Sequence, residues 1–148
     1  MSRFDSAAFT TSCTKAQKKL SNYVEDIVFN EGEEASNLEA FFVEVRGKSP
    51  SGADAFIFKL VTQAGLPGYA ISTRLYIAEN LRGIITQEVD SLKRAAAALM
   101  GAVRLLASVR ADNPSELARM FKGNWRNVGH IGSLNNTAHL LFESEQLI

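Results

Sequence analysis

The densest run of chemically capable side chains is Phe121-Lys-Gly-Asn-Trp125-Arg126-Asn-Val-Gly-His130. A cation for phosphate, a ring for base stacking and a glycine-loosened backbone are what a single-stranded nucleic-acid contact uses. Arg119, Lys122, Trp125, Arg126 and His130 are therefore the candidate nucleic-acid contacts, and Arg104 and Arg110 extend the basic surface. Two facts weigh against this assignment. The formal net charge is zero, whereas nucleic-acid domains are usually basic. Trp125 also has a plainer use, anchoring its loop to the core.

The remaining motifs are weaker. Ser12-Cys-Thr-Lys15 has the S-x-x-K spacing of serine acyl-enzymes, but the companion S-D-N and K-T-G elements are absent, so it reads as one turn of a surface helix. Cys13 falls on the inward seam of that helix and reads as a small core residue. His130 and His139, the only histidines, have no Cys or acid at ligand spacing and make no zinc or iron site. Gly47-Lys48-Ser49 is only the tail of a phosphate-binding loop, with no glycine five residues earlier, and Gly129-x-x-Gly132 lacks a strand–helix context. No catalytic residue, metal ligand or cofactor site follows, no small-molecule ligand is implied, and the chain reads as non-enzymatic.

The elements that would carry these residues read as helices. From Tyr69 to Arg110 there is no proline, and Ala78, Ile85, Leu92, Leu99 and Leu106 recur every seventh residue, with Leu81, Ala95, Ala102 and Val109 three positions later. That pattern predicts one long amphipathic helix, its phase unbroken across Gly83 and Gly101. Phe9, Cys13, Ala16, Leu20, Tyr23 and Ile27 predict a first helix from near Ser6, with Gly32 at its cap. Ser36-Asn-Leu-Glu39 has capping-box spacing and opens a second helix that stops at Gly47. A third runs from about Ala53 to Ala64; its rival is a strand pair, Phe41–Arg46 with Phe56–Thr62. Asn113-Pro114-Ser-Glu116 starts another helix. Gly123 to Asn136 is irregular, and a short last helix spans about Thr137 to Gln146. The expectation is an all-α single domain over residues 1–148, an elongated bundle of about five to six helices around residues 69–110. At 1.5 Å per residue the long helix would run about 63 Å, against roughly 38 Å across a compact chain of this length.

Charge and apolar surface point to assembly. Seven acids and no Lys or Arg lie between Glu25 and Glu44, and seven bases against two acids between Lys93 and Arg126. Residues 95–103 are apolar on every side, as a helix surrounded by others is. Ala95, Ala98, Leu99, Met100, Gly101, Ala102, Leu147 and Ile148 are the candidate self-association residues. The resulting reading is a self-associating helical subunit or adaptor, a homo-oligomer or part of a larger assembly such as a viral particle or secretion machine. A nucleic-acid-binding helical protein is the alternative. No apolar run approaches the roughly 20 residues of a membrane span, and the N-terminus lacks a signal-peptide h-region. The expected location is the cytoplasm or the inside of a particle.

Overall fold

The computed structural model describes residues 4–35, 39–134 and 137–147. Helix α1 (Ser6–Lys19) is followed by four strands, β1 (Asp26–Ala35), β2 (Ala40–Lys48), β3 (Asp54–Gln63) and β4 (Tyr69–Ile77). A 3-10 turn at Glu79–Leu81 leads into α2 (Thr86–Leu99), β5 (Arg104–Arg110), α3 (Pro114–Lys122), β6 (Trp125–Leu134) and β7 (Thr137–Ser144). The seven strands form one mixed sheet in the order β1-β2-β3-β4-β5-β7-β6. Every neighbouring pair is antiparallel except β4 and β5, which run parallel.

The fold is therefore α/β, and the expected all-α bundle is overturned. The long helix of residues 69–110 is a strand, a turn, a helix of 14 residues and a second strand. In β5, Leu105, Ala107 and Val109 are buried while Ser108 and Arg110 are exposed, the period of two that a half-buried strand requires. The heptad stripe took Leu99 from α2, Ala102 from the link after it, and Leu106 and Val109 from β5. Gly83 and Gly101 are real breaks, at φ +82 and +86, backbone that glycine adopts without a Cβ penalty.

The strand-pair alternative for the middle of the chain is what forms. β2 pairs with β3 from Ala40↔Gln63 to Lys48↔Asp54, and Phe41, Val43 and Val45 are buried between half-buried Phe42, Glu44 and Arg46. The second and third predicted helices are thus both strands. Ser36, Asn37 and Leu38 of the supposed capping box lie outside the described residues. The segment read as irregular is β6, and the predicted last helix is β7. α1 starts at Ser6, where Asp5 Oδ1 accepts from Ala8 N at 3.0 Å, but it ends at Lys19, well before the predicted cap at Gly32. α3 starts as its sequence predicts: Asn113 Oδ1 accepts from Glu116 N at 3.2 Å, and Pro114 opens the first turn.

One core joins the sheet to α1 and α2. Phe9, Cys13 and Ala16 of α1, Leu20 at its C-cap, and Val89, Leu92, Ala96 and Ala97 of α2 pack with Phe56, Phe58, Leu60 and Leu105 of the sheet. Phe4, Phe9 and Phe29 meet edge to face at centroid distances of 5.0–6.0 Å. Residues 95–103 are apolar because α2 lies against α1, β3 and β5 and then turns into β5. Of that stretch, Ala96, Ala97, Met100 and Ala102 are buried within the chain, while Val103 is exposed.

Candidate functional site

The sheet opens where its one parallel pairing ends. β4 and β5 pair only from Tyr69↔Arg104 to Ser72↔Ala107. The next β4 residue, Thr73, is a bulge: Lys59 faces Arg74 and Leu60 faces Ser72, leaving Thr73 unmatched. A bulge bends its strand and increases the local twist. β4 turns away from β5 at this point, and the edge from Thr73 to Ile77 has no strand partner on the β5 side. The two strands enclose a V-shaped cleft of about 600 Å³.

The remaining walls come from the helices that follow each strand. After β4 the chain passes through Arg82 and Gly83, which line the cleft, and enters α2 at Thr86. Gly83 N donates to Thr86 Oγ1 at 2.9 Å, and Arg82 Nε donates to the Ile77 carbonyl at 3.0 Å. These bonds fold the loop back across the end of β4. Ile85 occupies the N-cap position of α2 and offers its first-turn N–H groups no side-chain acceptor. Thr86, at the positive end of the helix dipole, lines the cleft. After β5, Asn113, Ser115, Glu116, Arg119 and Met120 close the other side.

The cleft is electropositive. Arg74, Arg82, Lys93, Arg110 and Arg119 line it, against one carboxylate, Glu116. Glu116 is committed to Arg119, with Oε1 at 2.6 Å from Nη2, and that bond holds the guanidinium pKa above its ordinary value. Arg110 is paired with Asp112 at 2.9 Å. Lys93, on the inward face of α2, is 2% exposed. Burial pulls its ammonium pKa down to about 8. Arg94 Cζ and Lys93 Nζ both lie over the Trp125 ring, at 5.3 and 5.7 Å from its centroid.

The residues expected to bind nucleic acid do not form one basic, aromatic surface. Trp125 is 7% exposed and belongs to the core, so its ring is closed to base stacking. Arg119 lines the cleft, Lys122 is exposed on α3, and His130 is exposed on β6. Arg126 Nη2 pairs with Glu143 Oε1 at 3.2 Å. Of the expected self-association residues, Met100 and Ala102 are buried, Ala95, Ala98, Leu99 and Leu147 are half-buried, and Gly101 is exposed; Ile148 lies outside the described residues. Cys13 is buried, with its thiol pKa pushed up to about 11. Among the described residues no group of His, Cys, Asp or Glu is placed to hold a metal ion, and no helix is long and apolar enough to cross a membrane. Sequence reading missed the cleft-lining Arg74, Arg82, Gly83, Thr86 and Lys93. The available signal was Arg82-Gly83 followed by a short amphipathic helix, which the heptad pattern concealed.

Solved structures share this architecture. Nourseothricin acetyltransferase superposes with a TM-score of 0.61 at 15% identity, over 72% of this chain and 66% of that one. A protein described as an acyl-CoA N-acyltransferase, from Klebsiella pneumoniae subsp. pneumoniae MGH 78578, gives 0.58 at 15% identity, over 72% and 73%. A protein described as an acetyltransferase of the GNAT family, from Desulfovibrio desulfuricans, gives 0.58 at 10% identity, over 70% and 68%. The fold is that of the GNAT acetyltransferases. The chain spans about two thirds to three quarters of the length of these three proteins. No protein-family model matches the chain, and no curated protein matches it.

These likenesses overturn the functional reading made from sequence. The non-enzymatic helical assembly protein, its viral or secretion-machine setting and the nucleic-acid-binding alternative all presupposed a helical bundle. The chain instead has a fold whose similar solved structures are acetyltransferases. The lack of a sequence motif is no argument against an enzyme here, because the site is built from backbone geometry and scattered cations.

Proposed function

We propose that the chain is an N-acyltransferase, taking an acyl group from a coenzyme A-type thioester and passing it to an amine. The observation that carries this reading is the splayed β4 edge beside an uncapped helix N-terminus. The fit to such a donor rests on three features. The main-chain N–H and C=O groups within residues 73–76 that face away from β3 suit an extended amide-bearing arm, which would lie along β4 as an added strand. The first-turn N–H groups of α2, with Arg82 and Arg74 at the rim, suit its phosphates. Gly83 leaves open space where a side chain would project, with nothing within 4 Å of a Cβ built there.

The bound thioester supplies an activated acyl carbon and a thiol leaving group. The acceptor nitrogen forms its bond to that carbon as the carbon–sulfur bond breaks, and the nitrogen loses a proton while the sulfur leaves as thiol. The chain's contribution is orientation: the β4 edge fixes the direction of the arm, and the bulge at Thr73 re-aims the backbone beside it. Glu116, held by Arg119, organises the α3 wall.

Calorimetric titration with coenzyme A and acetyl-coenzyme A tests this reading, together with thiol release across a panel of primary amines. Micromolar binding and amine-dependent thiol release are expected. Gly83→Val, which forces a β-branched residue to φ +82, should weaken binding about tenfold or more. No binding at millimolar coenzyme A would overturn the proposal.

A further inference from the structure

Lys93 is the group in the cleft that the acyl-transfer reading leaves unused. Its ammonium lines the cleft although the residue is 2% exposed. It rests on the Trp125 ring, and among the described residues no side chain lies within ion-pair or hydrogen-bond distance of it. The neighbouring carboxylates are already engaged. Asp90 Oδ2 accepts from Arg94 Nε at 3.2 Å, and its Oδ1 lies 4.0 Å from Arg119 Nη1. Glu116 binds Arg119 through both oxygens. Lys93, Arg94 and Arg119 thus face Asp90 and Glu116, leaving one positive charge unbalanced, and it resides on the buried group. A buried charge costs heavily unless paired. Lys93 also lies two turns beyond Thr86, about 10 Å along α2, so it forms a subsite separate from the helix N-terminus.

Building on the acyl-transfer reading, we propose that Lys93 receives a carboxylate brought by the substrates, carried either by the acyl group or by the acceptor amine. The carboxylate supplies the missing counter-charge and accepts from Nζ at the base of the cleft. An N-acyltransferase built this way selects an acidic acyl chain or an amino-acid acceptor over neutral equivalents.

Titrations of the full chain distinguish the two sources. One arm compares succinyl- with acetyl-coenzyme A. The other compares amino acids with the amines left by removing their carboxylate, in the presence of coenzyme A. In one arm the carboxylate-bearing ligand should bind about tenfold tighter or more, and both Lys93→Met and Lys93→Gln should abolish that preference while binding coenzyme A unchanged. Equal binding in both arms would overturn the inference, as would a preference that survives both substitutions. Weakened binding of coenzyme A itself in both variants would assign Lys93 to a phosphate and overturn it too. Failure of the wild-type chain to bind coenzyme A at all would refute the acyl-transfer reading, and this inference with it.

Discussion

Holding Lys93 charged inside the fold costs stability, and the cost has a pH signature. Its pKa of about 8, against an ordinary value of 10.5, comes first from burial, which disfavours the charged form; Asp90 and Glu116 restore part of the shift. Below pH 8 the folded and unfolded chains both hold this proton. Between about 8 and 10.5 the unfolded chain holds a proton that the folded chain has released, so stability rises with pH across that window. At neutral pH the charged group costs about 3 kcal/mol. Lys93→Met keeps the stem and removes the charge. It should therefore raise neutral-pH stability by about 1–3 kcal/mol and flatten the rise above pH 8, both read from urea titrations at a series of pH values.

Among the elements, the β2–β3 pair shows how a strand is specified by what it lacks. Gly47 faces Phe56, and a Cβ on Gly47 would run into Phe56 Cε2, Cδ2 and Cζ. Gly47→Ala must displace a fully buried ring that stacks on Phe58. It should cost about 1–3 kcal/mol, measured by chemical denaturation, while leaving binding in the cleft intact. In the sequence this glycine looked like a helix stop. The start of α3 was legible because capping chemistry is local: Asn113 and Pro114 act within one turn. The strands were not, because Leu106 and Val109 continue the heptad while Leu105, Ala107 and Val109 make the period of two, and over so short a run the two patterns overlap. The cleft was illegible for a different reason. It is made by a pairing that stops at Ser72↔Ala107 and by a bulge at Thr73, and neither leaves a side-chain motif. Arg82-Gly83 was the one local trace of it.

At the scale of the whole molecule the sheet is two antiparallel sets, β1 to β4 and β5-β7-β6, joined by the short parallel seam. Side chains at the closed end of the V reinforce that seam. Tyr69 of β4 donates to Glu143 of β7 at 3.0 Å, and Glu143 also meets Arg104 of β5 at 3.5 Å. Ser144, 2% exposed, accepts from Leu105 N and donates to the Glu145 carbonyl, both at 2.8 Å. Ser144→Ala strands the buried Leu105 N–H and should cost about 1–3 kcal/mol in a denaturation titration.

The same seam sets the order in which the chain acquires its structure. The first four strands form a meander of neighbouring antiparallel pairs, with closure distances short along the chain. Tyr69↔Arg104 instead closes a loop containing all of α2. Local contacts form before distant ones reward the entropy of closure. In pulse-labelled hydrogen exchange, amides of β2 and β3 should gain protection first and those pairing β4 to β5 last. The two walls of the cleft then meet only at the final step of refolding, and ligand affinity should appear with the slowest phase.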